Sequence, residues 1–268
     1  MGNPAAGGGR WVEVAPERFV TWAGNFGKRH GQLAAKAGLA VVSLTAADGS
    51  VAECHVPFPP MTSGPPGPPG PGETAAADVL IAQVAAHAIA PRTVAVLLVR
   101  LGGYAAGVFA GSPPELIASK TGSRPVHGRS AAGGWSQHRF ARRREKQAAE
   151  ALDAAAGAAL RVFGPYQGEL EAVVLGGDRR TVAGLRDDPR LRPYLALAAD
   201  RFLTVPDPRR PVLRDTPRLF RAIKVRVSAV LARGATPRNP PLRSAPARWY
   251  FADTPATRRA GGPDSLGR

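Results

Sequence analysis

The chain has 268 residues, 44% of them hydrophobic, and a formal net charge of +16. This length and hydrophobic share suffice for one large domain or two small ones, so disorder throughout the chain is excluded. Solubility alone does not require so much positive charge, whereas binding a phosphate backbone does, because each neutralised phosphate releases condensed counterions. A nucleic acid is therefore the leading partner.

Cysteine and histidine usage gives no sign of a cross-link or a metal site. Cys54 is the single cysteine, so an internal disulfide is excluded, and the five histidines show no metal-ligand spacing. The apolar stretches, such as residues 79–90, are too short to span a bilayer. We therefore expect a cytoplasmic protein with no cofactor, no metal and no membrane contact.

Turn and periodicity signals in the first third of the chain predict strands at residues 11–14, 39–45 and 50–56 and helices at residues 16–30 and 74–90. Pro16 suits the first helical position. Asp48-Gly49 is a turn that tolerates positive φ, so the second and third strands are expected to form a hairpin. Residues 57–72 (PFPPMTSGPPGPPGPG) are expected to form an extended loop.

The same signals beyond this point predict strands at residues 93–101, 104–110, 120–126, 170–175 and 202–205 and helices at residues 137–163, 181–185 and 217–231. The run TVAVLLVRL at residues 93–101 is nearly continuous in apolar residues, which indicates burial on both faces. Strands and helices alternate, with hairpins among the strands. We therefore predict an α/β fold of the α+β type, in which a mixed sheet is flanked by helices.

Composition divides the chain into three parts. Residues 1–10 are expected to be a flexible N-terminus, and residues 11–231 a single folded domain. Residues 232–268 contain seven arginines and two acidic residues among prolines, glycines and alanines, which predicts a disordered basic tail. The folded part keeps a net charge of +11, so the basic character belongs to the domain as well.

The segment GGWSQHRFARRREKQ, which begins at Gly133, joins a glycine-rich loop to the longest predicted helix. Gly133 and Gly134 let the loop at residues 128–137 bend freely. The hydroxyl of Ser136 can accept a bond from a free backbone amide, which suits this residue as the helix cap and starts the helix at Gln137. The free amides at such a helix start also favour an anion.

The first turns of this helix carry a basic face, which consists of Arg139, Arg142, Arg143 and Lys146. Such a face is often no more than solvated surface. Between residues 117 and 150, however, eight basic residues accompany two acidic ones, and a surface chosen for solubility would mix its signs more. We therefore expect this face and Arg129 to bind RNA. Trp135 is either a stacking platform for a base or a residue that folds back on the loop.

This segment resembles the signature of the actinobacterial branch of the Vms-like release factors, the VLRF group of peptidyl-tRNA hydrolases. The stretches WVEVAPERFVTWAGNFGKRHG at residues 11–31 and FLTVPDPRRPVL at residues 202–213 also resemble family landmarks. The family resembles the catalytic middle domain of the eukaryotic and archaeal class-one release factor, whose Gly-Gly-Gln loop enters the peptidyl-transferase centre. In that factor the glutamine follows the glycines directly, whereas here Trp135 and Ser136 intervene.

The resemblance implies that Gln137 positions the water that hydrolyses the ester of peptidyl-tRNA, and that Gly133 and Gly134 let the loop thread a narrow RNA cavity. Glutamine suits this task because it is neutral and carries both a donor and an acceptor. His138, beside it, has no partnering carboxylate nearby and is interpreted as a bystander rather than a general base.

Two functional hypotheses follow. The first is a peptidyl-tRNA hydrolase that releases nascent chains from stalled ribosomes or large subunits, with the large subunit, peptidyl-tRNA and ribosomal RNA as partners. The second is a non-catalytic RNA- or ribosome-binding module that uses the same basic face. A single exposed catalytic loop that must enter a ribosomal cavity favours a monomer.

Overall fold

The computed structural model describes residues 3–4, 9–61, 74–100, 102–123 and 136–228, and for residues 3–4, 74–75, 136–145 and 148 it describes the backbone alone. Contacts between Cα atoms divide the chain into two units, Met1–Val230 and Leu231–Arg268. The predicted tail, most of the Pro/Gly-rich loop and residues 128–135 of the predicted catalytic loop lie outside the described residues. The fold described here belongs to the first unit.

The described residues contain strands β1 Asn3–Pro4, β2 Arg10–Val14, β3 Leu33–Lys36, β4 Val41–Ala46, β5 Val51–His55, β6 Thr74–Ala75, β7 Val94–Arg100, β8 Gly103–Ala110, β9 Glu115–Ser123, β10 Ala172–Gly177, β11 Ala198–Leu203 and β12 Ile223–Ser228. The helices are α1 Pro16–His30, α2 Ala77–Ile89, α3 Ser136–Phe163, α4 Arg179–Ala183, α5 Arg192–Leu195, α6 Arg210–Arg214 and α7 Thr216–Phe220. These elements form two sheets with helices packed on them.

The first sheet has seven strands in the order β1-β2-β12-β5-β4-β3-β6, all paired antiparallel. In its centre Val225 of β12 lies opposite Val12 on one side and Cys54 on the other. Helices α1 and α2 pack on one face of the sheet, where Phe19 and Leu80 are fully buried. One apolar layer between sheet and helices therefore forms the core of this half.

The second sheet has five strands in the order β11-β10-β7-β8-β9. Its first three strands are parallel, and β8 and β9 continue the sheet antiparallel. Residues 94–99 of β7 are all buried because α3, α4 and α5 pack on one face of the sheet and α6 and α7 on the other. The predicted burial on both faces is therefore confirmed for residues 94–99 of this run.

The predicted α+β class is confirmed, although the strands form two sheets, of which only the second is mixed. Helix α1 has the predicted bounds, and the hairpin at Asp48-Gly49 is present. The edge strand β9 begins five residues before the predicted strand at 120–126. Asn3–Pro4 pairs with Arg10 and Trp11 within the N-terminal stretch that was predicted to be flexible.

The predicted helix at residues 217–231 is wrong. Its first residues belong to the short helix α7, but Ile223–Ser228 is strand β12, which pairs with both β2 and β5. The physical reason is visible in the sequence IKVRVS, where buried Ile223 and Val225 alternate with the more exposed Lys224 and Arg226. A period of two and β-branched side chains favour a strand buried on one face.

Candidate functional site

The long helix α3 is anchored to the second sheet by its C-terminal half. Ala155, Ala156, Ala159 and Phe163 are buried against the sheet, and the Phe163 ring contacts the Tyr194 ring at 5.6 Å between centroids. The small alanine side chains let the helix approach the sheet closely. Leu152 is the first described side chain of the helix that packs on this core.

The N-terminal half of α3 extends past one edge of the second sheet. Leu152 lies against Gly184, with its Cδ1 2.9 Å from the place of a Cβ there, and Gly184 directly follows α4 at the carboxyl end of β10. The helix ends at Phe163, and β10 begins only nine residues later, at Ala172. The helix thus runs antiparallel to β10, and residues 136–151, which we term the helix stem, cover about 24 Å at 1.5 Å per residue.

The predicted site residues divide into three groups. Arg129, Gly133, Gly134 and Trp135 lie outside the described residues. The backbone of Ser136, Gln137, Arg139, Arg142 and Arg143 is helical, and Lys146 is exposed. The roles predicted for these residues therefore stay predictions.

Ser136, which the sequence predicts as the helix cap before Gln137, is the first described residue of α3. The residues before it lie outside the described part of the chain, so its role as the cap stays a prediction. Gln137 lies in the first described turn, at the far end of the helix stem from the packed core. The strand that leads into the predicted loop ends at Ser123, which pairs with Gly103 at the carboxyl edge of β7.

The turn Gly176-Gly177-Asp178 joins β10 to α4. The Asp178 carboxylate accepts a hydrogen bond from the backbone N–H of Arg180 at 2.7 Å, so a side chain already occupies the position that an anion would take. Gly177 has a φ of 104°, and a Cβ there would collide with the carbonyl oxygen of Val99. The geometry of the turn thus accounts for Gly177 and Asp178 at these positions.

Cys54 is not a candidate nucleophile. Its side chain is fully buried in the first sheet, and this burial raises the pKa of the thiol to about 12. His55, the next residue, points to the other face of β5. There it is half-buried against Trp11 at 5.0 Å between ring centroids, and burial lowers its pKa.

Sequence reasoning did not single out five arginines that the second sheet brings to one edge: Arg100, Arg179, Arg180, Arg209 and Arg210. They come from three separate parts of the chain, and only the parallel pairing of β7, β10 and β11 unites them. In the described part of the chain, no group of three or more His, Cys, Asp or Glu side chains could hold a metal ion. Nor does any helix in that part have the length and apolar character needed to cross a membrane.

Comparison with known protein families identifies the class. The model of the Actinobacteria/chloroflexi VLRF1 release factor matches residues 92–226, which is half of the chain and includes the whole second sheet with α3. This match defines a protein of the release-factor class. The chain belongs to the Actinobacteria/chloroflexi VLRF1 release factor family.

Solved structures resemble the chain more distantly. An archaeal translation termination factor, aRF1, is 14% identical with a TM-score of 0.33, over 71% of this chain and 49% of that one. The Vms1 mitochondrial localization core is 9% identical with a TM-score of 0.32, over 68% and 73%. Archaeoglobus fulgidus Pelota is 11% identical with a TM-score of 0.25, over 82% and 66%.

The chain spans about half the length of the first two solved structures that it matches. No curated protein matches it.

Proposed function

We propose that the chain is a peptidyl-tRNA hydrolase of the cytoplasm that releases nascent chains from stalled ribosomes or large subunits. The observation that supports it most is the helix stem, which carries Gln137 about 24 Å beyond the packed part of the domain. A glutamine at the tip of a long helical projection can reach into a narrow cavity that the domain itself cannot enter. The family match covers this helix completely.

The proposed chemistry is the hydrolysis of the ester between the nascent peptide and the 3′ oxygen of tRNA. The oxygen of a water molecule forms a bond to the ester carbonyl carbon, the bond from that carbon to the 3′ oxygen breaks, and a proton moves from the water to the 3′ oxygen. Gln137 orients the water through its amide, which both donates and accepts. Gly133 and Gly134 give the loop its freedom to bend, and no covalent intermediate is required.

The stem also supports the proposed partners. Arg139, Arg142, Arg143 and Lys146 recur at spacings of three, one and three residues, so a helical backbone brings these positions to one side. With Arg129 and Trp135 they would hold the acceptor end of tRNA or ribosomal RNA near the loop. A single projecting loop of this kind acts as a monomer on the large subunit.

The test is Gln137→Ala compared with Gln147→Ala, a matched substitution on the same helix ten residues further from the tip. Purified ribosome complexes carrying labelled peptidyl-tRNA report release, and sedimentation with large subunits reports binding. We expect Gln137→Ala to lower the release rate roughly 100-fold or more, the cost of losing one group that stabilises a transition state. Binding should be unchanged.

We expect Gln147→Ala to release peptide at the wild-type rate. Full release by Gln137→Ala would refute the mechanism. Binding without release by the wild-type protein would instead favour the non-catalytic ribosome-binding module.

A further inference from the structure

Three parallel strands of the second sheet end at one edge, and each is followed by arginines. Arg100 ends β7, Arg179 and Arg180 follow β10, and Arg209 and Arg210 follow β11. The register places the ends together, since Gly177 pairs with Val99 and Gly176 pairs with Leu203. We term these five residues the edge arginines.

Contacts among the three segments hold the edge arginines along this sheet edge, where α4 starts on one face of the sheet and α6 on the other. Arg100 Nη1 donates to the carbonyl oxygen of Val205 at 2.8 Å, which ties β7 to the segment after β11. The Arg179 guanidinium lies over the Phe202 ring, 4.3 Å from its centroid. A Cβ at Gly103 would lie 3.6 Å from Cδ of Pro208, so the segment that leads to Arg209 closes over the start of β8.

Little negative charge offsets the edge arginines. Asp178 is engaged with the start of α4, and Asp207 lies 3.9 Å from Arg100 with both side chains well exposed, which makes a weak pair. Among the described residues no carboxylate lies within 4 Å of the guanidinium groups of Arg179, Arg180, Arg209 or Arg210. Arg190 shows the opposite arrangement, because Asp153 and Asp188 both bind it.

The edge arginines lie on the side of the domain from which the helix stem projects. Ser123, the last described residue before the predicted loop, pairs with Gly103 at this same edge. Leu152 contacts Gly184 just after α4, so the stem leaves the domain beside Arg179 and Arg180. A body that the loop enters would therefore face the edge arginines around the base of the stem.

We propose that the edge arginines bind the phosphate backbone of ribosomal RNA at the mouth of the cavity that the loop enters. The proposal rests on the ribosomal function proposed above and extends it to a second RNA contact. Guanidinium groups form forked hydrogen bonds with phosphate oxygens, and arginines spread along a sheet edge match a backbone better than a single small anion. Ribosomal RNA is favoured over tRNA because the surface lies at the base of the stem, not at its tip.

The test uses the full chain with Arg209→Ala/Arg210→Ala and a control pair, Arg18→Ala/Lys28→Ala. The control removes the same charge from exposed positions on α1, which packs on the first sheet. Association with isolated large subunits is measured over a series of salt concentrations, and association with free deacylated tRNA is measured in parallel. Thermal denaturation verifies that each variant is folded.

For Arg209→Ala/Arg210→Ala we expect weaker binding to large subunits and a logarithmic salt slope reduced by about 2, roughly one for each phosphate that the variant no longer neutralises. The binding of this variant to free tRNA should equal that of the wild type. The control variant should show the wild-type affinity and salt slope with large subunits. Arg179→Ala/Arg180→Ala should repeat the loss at the same sheet edge.

An unchanged salt slope in both edge-arginine variants would overturn the proposal. An equal loss of large-subunit binding in the control variant would also overturn it, because that result would indicate general charge attraction. An equal loss of binding to free tRNA would overturn it as well. The hydrolase proposal fails separately, if the wild-type protein releases no peptide. In that case the edge-arginine variants would still lose binding to large subunits, and the RNA contact proposed here would stand.

Discussion

His87 is a buried histidine near the end of α2 whose hydrogen bonds determine its protonation. Its Nε2 donates to the carbonyl oxygens of Pro57 at 2.9 Å and Phe58 at 3.2 Å, and Arg92 Nη2 lies 3.3 Å from both ring nitrogens, of which only Nδ1 is left to accept from it. Because carbonyl oxygens only accept and a guanidinium only donates, the ring is neutral with its proton on Nε2. Burial lowers the pKa of His87, and the charge of Arg92 lowers it further.

This lowered pKa predicts a loss of stability in mild acid. Below about pH 6.5, the ordinary pKa of histidine, the unfolded chain binds a proton at His87 that the folded chain does not bind. The free energy of unfolding therefore decreases as the pH is lowered below this value. The stabilising contribution is complete above that pH. His87→Gln keeps an amide donor for Pro57 but does not titrate, so its stability should depend less on pH.

Urea denaturation between about pH 8 and about pH 5.5 measures this difference. His55, whose pKa burial also lowers, is present in both proteins and cancels in the comparison. Equal pH dependence in wild type and His87→Gln would show that the hydrogen-bonded ring does not contribute.

At the scale of elements, β12 shows what the sequence could not settle. Local sequence signals were sufficient to predict an element whose ends are marked by its own residues. Helix α1, for example, begins at Pro16 and ends before Gly31. Strand β12 follows the short helix α7 after only two residues, so the two read as one helix. Its pairing partners, β2 and β5, lie about 170 to 210 residues earlier in the chain, and a local pattern cannot report such pairing.

A pair of neighbouring substitutions tests the strand. Ile223 is fully buried between α1 and the sheet, whereas Lys224 lies on the opposite face with its Nζ 3.5 Å from Glu13. We expect Ile223→Ala to lower the free energy of unfolding by about 2–5 kcal/mol. Lys224→Ala should cost no more than about 1 kcal/mol, because an exposed ion pair contributes little. Chemical denaturation measures both, and similar losses would contradict the alternation.

Only part of the candidate site could be predicted, because local sequence patterns do not report pairing between distant strands. The helix after Ser136 and its basic spacing are local features, so the sequence was sufficient to predict the helical stem. The edge arginines were not predictable, since Arg100 and Arg179 are 79 residues apart and only the pairing of β7 with β10 brings them together. Their function and that of Gln137 depend on surfaces that lie outside the chain.

At the scale of the molecule, the two sheets are joined through the segment from α7 to β12. Phe220 is buried in the core of the second sheet, and Ile223, three residues later, is buried in the core of the first. Arg221 between them donates to the carbonyl oxygen of Ala88 at 3.3 Å and pairs with Glu17 at 3.0 Å. The helix stem therefore projects from a domain whose two sheets are joined, and the length of the stem sets how far Gln137 reaches.

Stem length is therefore a direct test of the whole arrangement. Inserting seven helix-forming residues, such as AEAAAKA, between Glu150 and Ala151 adds two turns and about 10 Å while turning the tip by only about 20°. The base of α3 from Leu152 onward keeps its contacts, so we expect the thermal midpoint to change by no more than a few degrees. Peptide release should fall roughly 100-fold or more, because even about 1 Å of misplacement can cost this much.

The same seven residues inserted between Gly111 and Ser112, in the exposed turn from β8 to β9, provide the control. That turn lies at the end of the sheet opposite the stem, so release should continue at the wild-type rate. If the lengthened stem released peptide normally, the distance from the sheet edge to Gln137 would not matter. The loop would then have to reach its substrate by its own flexibility, and the helix would serve only as an RNA-binding surface.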